Sequence, residues 1–149
     1  MLPTLREQKA LVKRQHQHCC IAMADLDLFK KVNDRYGHKT GDTVLTAITH
    51  YLIKNLRSYD KVFRYGGEEF LLYLPFTELS HGHTMVERLR KGISAMRIPV
   101  NDKTSIHITI SIGLTLLDPD DPIEESIEHA DKAMYAAKSA GRNCVHIWD

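Results

Sequence analysis

The stretch RYGGEEFLLYLP, residues 64–75, decides how the chain folds. Val62, Phe63 and Tyr65 lead into Gly66-Gly67. Phe70, Leu71, Leu72, Tyr73 and Leu74 lead away, and Pro75 closes the run. A Gly-Gly pair between two such runs predicts a β-hairpin with a two-residue primed turn, because that turn needs positive φ. Glu68 and Glu69 follow at once. Successive strand residues face opposite ways, so one carboxylate faces a site and the other its edge. Adjacent acids repel, and a divalent cation or a cationic ligand relieves the repulsion. Taken alone, the pair reads better as a solvated acidic hairpin tip.

Working outward, the apolar run CCIAMA at 19–24 predicts a central strand that delivers Asp25 and Asp27 at its carboxyl end. Ligand sites in α/β sheets favour that end of a strand. A short helix is expected over 29–36, stopped by Gly37, and a second over 42–56 with Val44, Leu45, Ile48, Leu52 and Leu56 at helical spacing. Further helices are predicted over 2–17, 78–96 and 123–140. Strands are predicted over 98–102, 106–117 and 144–148. Ile106, Ile108, Ile110 and Ile112 alternate with His107, Thr109 and Ser111, so one face of that strand is expected to be buried and the other polar. After the first helix the order is β-α-α-β-β-α-β-β-α-β, which predicts an α+β sandwich with a mostly antiparallel sheet.

A chain of 149 residues suits one domain on a prior of about 150 per domain. Hydrophobic content of 43% and charged content of 26% are ordinary for a globular chain. A net charge of +1 argues against a broad nucleic-acid-binding face. No run is long or apolar enough to suggest membrane contact or a signal sequence, which predicts a cytoplasmic domain. Cys19, Cys20 and Cys144 are odd in number and lack Cys-x-x-Cys spacing, so reduced thiols are expected. His16 and His18, and His81 and His83, form His-x-His pairs without a partnering acid or thiol pattern, and read as solvated element ends.

GGEEF preceded by RYG, with N-D…G-H-x-x-G-D at 33–42 and MYAAKSAGRN at 134–143, resembles the signature set of GGDEF-family diguanylate cyclases. The likeness runs over nearly the whole chain. It implies a ferredoxin-like, palm-type fold with a central five-stranded sheet flanked by helices. It also implies one catalytic domain over 1–149, excised from a larger sensor protein, because the short D-x-L-T-G-L-like segment that precedes the first helix in relatives is missing.

The resemblance carries residue roles. Asp25, Leu26, Glu68 and Glu69 would hold Mg²⁺, with Mn²⁺ as the alternative. Hard carboxylate oxygens suit such ions, which keep waters and take substrate phosphates. Glu68, Glu69 and Lys30 would be catalytic. Asp27 reads as structural support behind the metal. Lys30, at a helix N-terminus that favours anions, would bind substrate together with Phe29, Lys138 and Arg142, the last two on the triphosphate. The plain alternative for Lys138 and Arg142 is pairing with the negative end of their helix. Asn33 and Asp42 would read guanine, whose paired N–H donors suit a carboxylate. Without the resemblance, Asp42 reads as a helix N-cap. Arg57 and Asp60 form an R-x-x-D motif ahead of the hairpin. It would be the family's inhibitory site for cyclic di-GMP, with Arg88 or Arg90 adding a contact.

The expected activity is condensation of two GTP into cyclic di-GMP and two pyrophosphates by a homodimer, with product inhibition. Three rivals stand beside it: a non-catalytic receptor for GTP or cyclic di-GMP, a palm-type enzyme for another nucleotide, and a structural domain without a ligand.

Overall fold

Strand β1, Cys19–Leu26, is buried along its whole length because helices cover both faces of the sheet it centres. The computed structural model describes residues 1–148. Around β1 lie α1 (Leu2–Gln15), α2 (Phe29–Tyr36), α3 (His38–Asn55), β2 (Lys61–Arg64) and β3 (Glu69–Pro75). Then follow α4 (Leu79–Ala95), β4 (Ile98–Pro99), β5 (Ser105–Ile106), β6 (Ile110–Leu116), α5 (Ile123–Ser139) and β7 (Val145–Ile147). The main sheet has the order β2-β3-β1-β6-β7. All its pairings are antiparallel except the parallel β6–β7 edge. This is the mostly antiparallel α+β sandwich that the element order predicts, with the five-stranded central sheet that the resemblance implies.

The period-two alternation of β1 builds two cores. Cys20, Ala22, Ala24 and Leu26 meet Val44, Ile48 and Leu52 of α3 and Val86, Leu89 and Ile93 of α4. Cys19, Ile21 and Met23 meet Leu5 and Val12 of α1 and Ile123, Ile127, Ala130 and Met134 of α5. The adjacent cysteines therefore serve opposite layers. Burial pushes each thiol up to about 12, which keeps both protonated and inert.

Four expectations are corrected. The hairpin has no two-residue primed turn: neither Gly66 nor Gly67 has positive φ. Instead the N–H groups of Tyr65 and Gly66 both donate to the Glu69 carbonyl, at 2.8 and 3.3 Å. The Arg64 guanidinium holds the Gly67 carbonyl, with Nε at 3.1 Å. Second, α3 begins at His38, so Asp42 lies inside the helix and is not its N-cap. Third, the strand expected over 106–117 is two: β5 pairs with β4 in a separate ribbon, and β6 joins the main sheet. Alternation is the same in both ribbons, so it cannot reveal a change of partner. Fourth, the polar face of this segment is open only at its start: the isoleucines are buried as expected and His107 is exposed, but α5 covers β6 and Ser111 is fully buried.

Gly113 is what lets α5 lie against β6. A Cβ there would overlap the Ala130 carbonyl oxygen and the Met134 backbone nitrogen. Among the described residues no helix is long and apolar enough to cross a membrane.

Candidate active site

The antiparallel register of β1 and β3 sets Asp25 directly opposite Glu69 at the sheet end. The Leu26 N–H donates to the Glu68 carbonyl at 3.2 Å, which ties the strand end to the hairpin turn. Glu69 is thus the acid that meets Asp25 across the ladder, and Glu68 sits one residue out, in the turn. Burial is the main cause that pushes the Glu69 carboxyl above its ordinary range; the negative charges of Asp25 and Asp131 add to it. The Lys138 ammonium lies 2.9 Å from Asp25 Oδ1 and 3.2 Å from Asp27 Oδ1.

Asp131 is a neighbour that the sequence reading missed. Its own carboxyl is pushed up by burial first, then by Asp25 and Glu128. The signal was available: Asp131 precedes Lys138 by seven residues, two helical turns along one face of α5. Among the described residues no three His, Cys, Asp or Glu side chains converge as a preformed metal-ligand set. Asp25, Leu26, Glu68 and Glu69 gather at one corner without forming a closed cage.

Asp27 holds that corner together. Its Oδ1 accepts from Ser111 Oγ at 2.6 Å and Lys138 Nζ at 3.2 Å. Its Oδ2 accepts from Thr109 Oγ1 at 2.7 Å and the Asn143 N–H at 3.0 Å. Three successive residues of positive φ, Gly141, Arg142 and Asn143, bend the chain after α5 to deliver that N–H. Arg90 braces the bend: Nη1 donates to Asn143 Oδ1 at 2.7 Å, and Nε donates to Glu87 at 2.7 Å. Removing one side of such a buried charged network costs about 3–5 kcal/mol. Asp27→Ala is therefore expected to lower the unfolding free energy by about that much, read as a fall in the urea midpoint with an unchanged slope. An unchanged midpoint would show that the network carries no stability.

Asn33 and Asp42 lie on α2 and α3. Gly41 is buried, and a Cβ there would overlap Asn33 Oδ1 and stand 3.2 Å from Phe29 Cζ. Its missing side chain is what lets Asn33 and Phe29 reach α3 beside Asp42. Asn33 Oδ1 is buried with no hydrogen-bond partner among the described residues. Asp42 is exposed and lines two cavities, one of about 260 Å³ with Leu45, Thr46 and Arg64, and one of about 500 Å³ with Lys39, Ile98 and Pro99. Lys30 is exposed in the first turn of α2, and Arg142 is exposed beyond the C-terminus of α5.

The R-x-x-D pair forms a second centre. Arg57 donates from its backbone N–H to Asp60 Oδ2 at 2.8 Å, from Nε to the same oxygen at 3.0 Å, and from Nη2 to Oδ1 at 2.9 Å. Nη2 also reaches the Pro75 carbonyl and Thr77 Oγ1. The Asp60 carboxylate raises the guanidinium's affinity for its proton further. Arg88 lines a cavity of about 310 Å³ beside Arg57, whereas Arg90 is committed to Glu87 and Asn143. Of the two arginines considered, Arg88 is the one at this centre.

Comparison with known proteins gives one consistent picture. Residues 1–144 match the family model "Diguanylate cyclase, GGDEF domain". The chain is 36% identical over 150 residues to diguanylate cyclase DosC of Escherichia coli K12, covering 99% of this chain and 32% of DosC. It therefore spans about a third of that relative. Its fold is similar to the GGDEF domain of DgcB from Caulobacter crescentus, solved with c-di-GMP. The TM-score is 0.92 at 31% identity, covering 97% of this chain and 86% of that one. It also resembles diguanylate cyclase SiaD of Pseudomonas aeruginosa, solved with its activator SiaC. There the TM-score is 0.93 at 36% identity, covering 98% of this chain and 56% of that one. With the register that opposes Asp25 to Glu69 and the whole-length family match, this chain belongs to the GGDEF domain family of diguanylate cyclases.

Proposed function

We propose that the chain condenses two GTP molecules into cyclic di-GMP with release of two pyrophosphates. Each 3′-hydroxyl attacks the α-phosphate of the other nucleotide, forming one P–O bond as the bond to pyrophosphate breaks. The observation that carries this reading is the paired, partly buried Asp25 and Glu69 at the sheet end, with the Lys138 ammonium on Asp25.

The corner fits a hard divalent cation. Glu69 is raised by burial first and then by the negative charge of Asp25, so a cation there would relieve both carboxylates, and the charge that meets Asp25 is an ammonium. Mg²⁺ takes one or two carboxylates and completes its shell with water and phosphate, so an open corner suits it better than a cage. Mn²⁺ would fit the same oxygens. Asp25, Glu68, Glu69 and the backbone of Leu26 are the ligands we assign. The ion would lower the attacking hydroxyl's pKa and offset charge on the phosphates.

The chain's own groups do the rest. Glu69, with its raised proton affinity, accepts the 3′-hydroxyl proton. Lys30, Lys138 and Arg142 bind the triphosphate. Asp42 takes the two N–H donors of guanine, and Asn33 offers its amide N–H to the base while Phe29 packs beneath. One domain supplies one GTP half-site, so two copies must face each other. Arg57, Asp60 and Arg88 bind cyclic di-GMP and restrain turnover. Its substrate is an intracellular nucleotide, so the domain works in the cytoplasm.

The test is turnover of GTP with Mg²⁺ over a range of protein concentrations, after bound nucleotide is stripped. Cyclic di-GMP should appear with a steeper than linear dependence on protein. Asp42→Ala should relax the preference for GTP over ATP by about 10²-fold or more, since a carboxylate covered by the base and left without N–H donors discriminates strongly. No product at any concentration, even after fusion to a dimerising coiled coil, would refute the enzyme reading; binding of cyclic di-GMP without turnover would favour a receptor.

A further inference from the structure

We propose that Phe76, backed by Tyr59, is a stacking wall for a guanine base of cyclic di-GMP at the Arg57 centre, and so sets the affinity of that centre. The inference rests on the reading of Arg57, Asp60 and Arg88 as the inhibitory site, and adds a determinant outside the R-x-x-D motif.

Phe76 has a φ of +54°. That region is uncommon for any residue with a Cβ and a genuine outlier for a bulky one. The fold asks for the turn: just past it, Thr77 is buried, its N–H donates to the His18 carbonyl at 3.1 Å, and its Oγ1 donates to the Pro75 carbonyl at 2.8 Å. The fold does not ask for the ring. Phe76 is 55% exposed and belongs to neither core layer. A glycine or asparagine would make the same turn with less strain.

The ring's surroundings suit a flat, anionic ligand. It lines the cavity of about 310 Å³ with Arg57, Thr77, His81 and Arg88. Among the described residues Arg88 makes no ion pair or side-chain hydrogen bond, so its guanidinium is free for a phosphate or a guanine edge. Tyr59, 45% exposed, meets Phe76 edge-on with centroids 5.7 Å apart at 71°. The Arg57 guanidinium lies over the Tyr59 ring at 4.7 Å. Arg57 therefore holds Tyr59, and Tyr59 braces Phe76, whose exposed ring borders the cavity. The Arg88 guanidinium and the remaining Nη1 of Arg57 for phosphate, with an aromatic face for a purine, match one cyclic dinucleotide.

The experiment is calorimetric titration of cyclic di-GMP into nucleotide-stripped protein, for the wild type and for Phe76→Asn, Phe76→Trp and Arg88→Ala. Phe76→Asn should weaken binding about tenfold or more, the scale of one lost base stack, without lowering the melting temperature. Phe76→Trp should bind at least as tightly as the wild type. Arg88→Ala should weaken binding independently. If Phe76→Asn binds like the wild type while Arg88→Ala is weakened, the stacking wall is refuted and the site reading stands. If the wild type does not bind, or binds with no sensitivity to either position, the site reading falls and this inference with it.

Discussion

Glu69→Gln and Asp25→Asn are each expected to reduce GTP condensation by about 10³-fold or more while leaving the fold intact. Each substitution keeps volume and removes one of two carboxylates that face each other across the β1–β3 ladder. General base catalysis alone is worth about 10²–10⁴-fold, and weakened cation binding adds to the loss. Stability should move the other way. In the folded chain the Glu69 carboxyl is raised by burial and by Asp25, so the native state holds its proton more tightly than the unfolded chain does. Its stabilising contribution is present at low pH and lost as pH rises through the raised value. Glu69→Gln removes that loss. Without divalent cation, the variant should melt higher than the wild type at neutral pH, and the gap should close on acidification. A variant that melts lower at neutral pH, or a gap independent of pH, would show that the carboxyl is not strained. Activity within tenfold of the wild type would remove Glu69 from the proton-accepting role.

Gly113→Ala should cost about 3 kcal/mol or more, the scale of severe overpacking. The added Cβ would overlap backbone atoms of Ala130 and Met134 rather than a side chain that can rotate away. The whole of α5 must then retreat from β6. That helix carries Ile127, Ala130 and Met134 into one core, and Lys138 and Asp131 to the corner beside Asp25. The midpoint of urea unfolding should fall by an amount matching that loss, and residual activity should fall with it because Lys138 leaves Asp25. A Gly113→Ala protein with wild-type stability would mean that α5 can slide without cost, against the contact seen here.

Much of this arrangement is legible in the residues themselves. The alternation in β1 and the helical spacing of Val44, Leu45, Ile48 and Leu52 give the elements, because burial selects the period of each. The acids at 25, 68 and 69 mark the strand ends as a site. What escaped the sequence reading is what depends on partners distant in the chain. Asp42 reads as an N-cap until α3 is seen to begin at His38. The Ile106–Ile112 alternation looks like one strand until Ile106 pairs with Ile98 and Ile112 with Ala24. Arg88 and Arg90 are indistinguishable until Arg90 is found on Glu87 and Asn143.

The family and the α+β architecture are thus readable from the residues alone, as are the acids at 25, 68 and 69 that make up the candidate corner, because local periodicity and short-range motifs are written in neighbouring residues. Only the tertiary structure decided that Glu69 rather than Glu68 opposes Asp25. It also decided that Asp27 gathers donors from Thr109, Ser111, Lys138 and Asn143, and that Phe76 turns an exposed ring toward Arg57 and Arg88. Those facts turn on strand register and on the close approach of α5 at Gly113. A shift of one residue in register would invert every facing pair, and no local pattern records it.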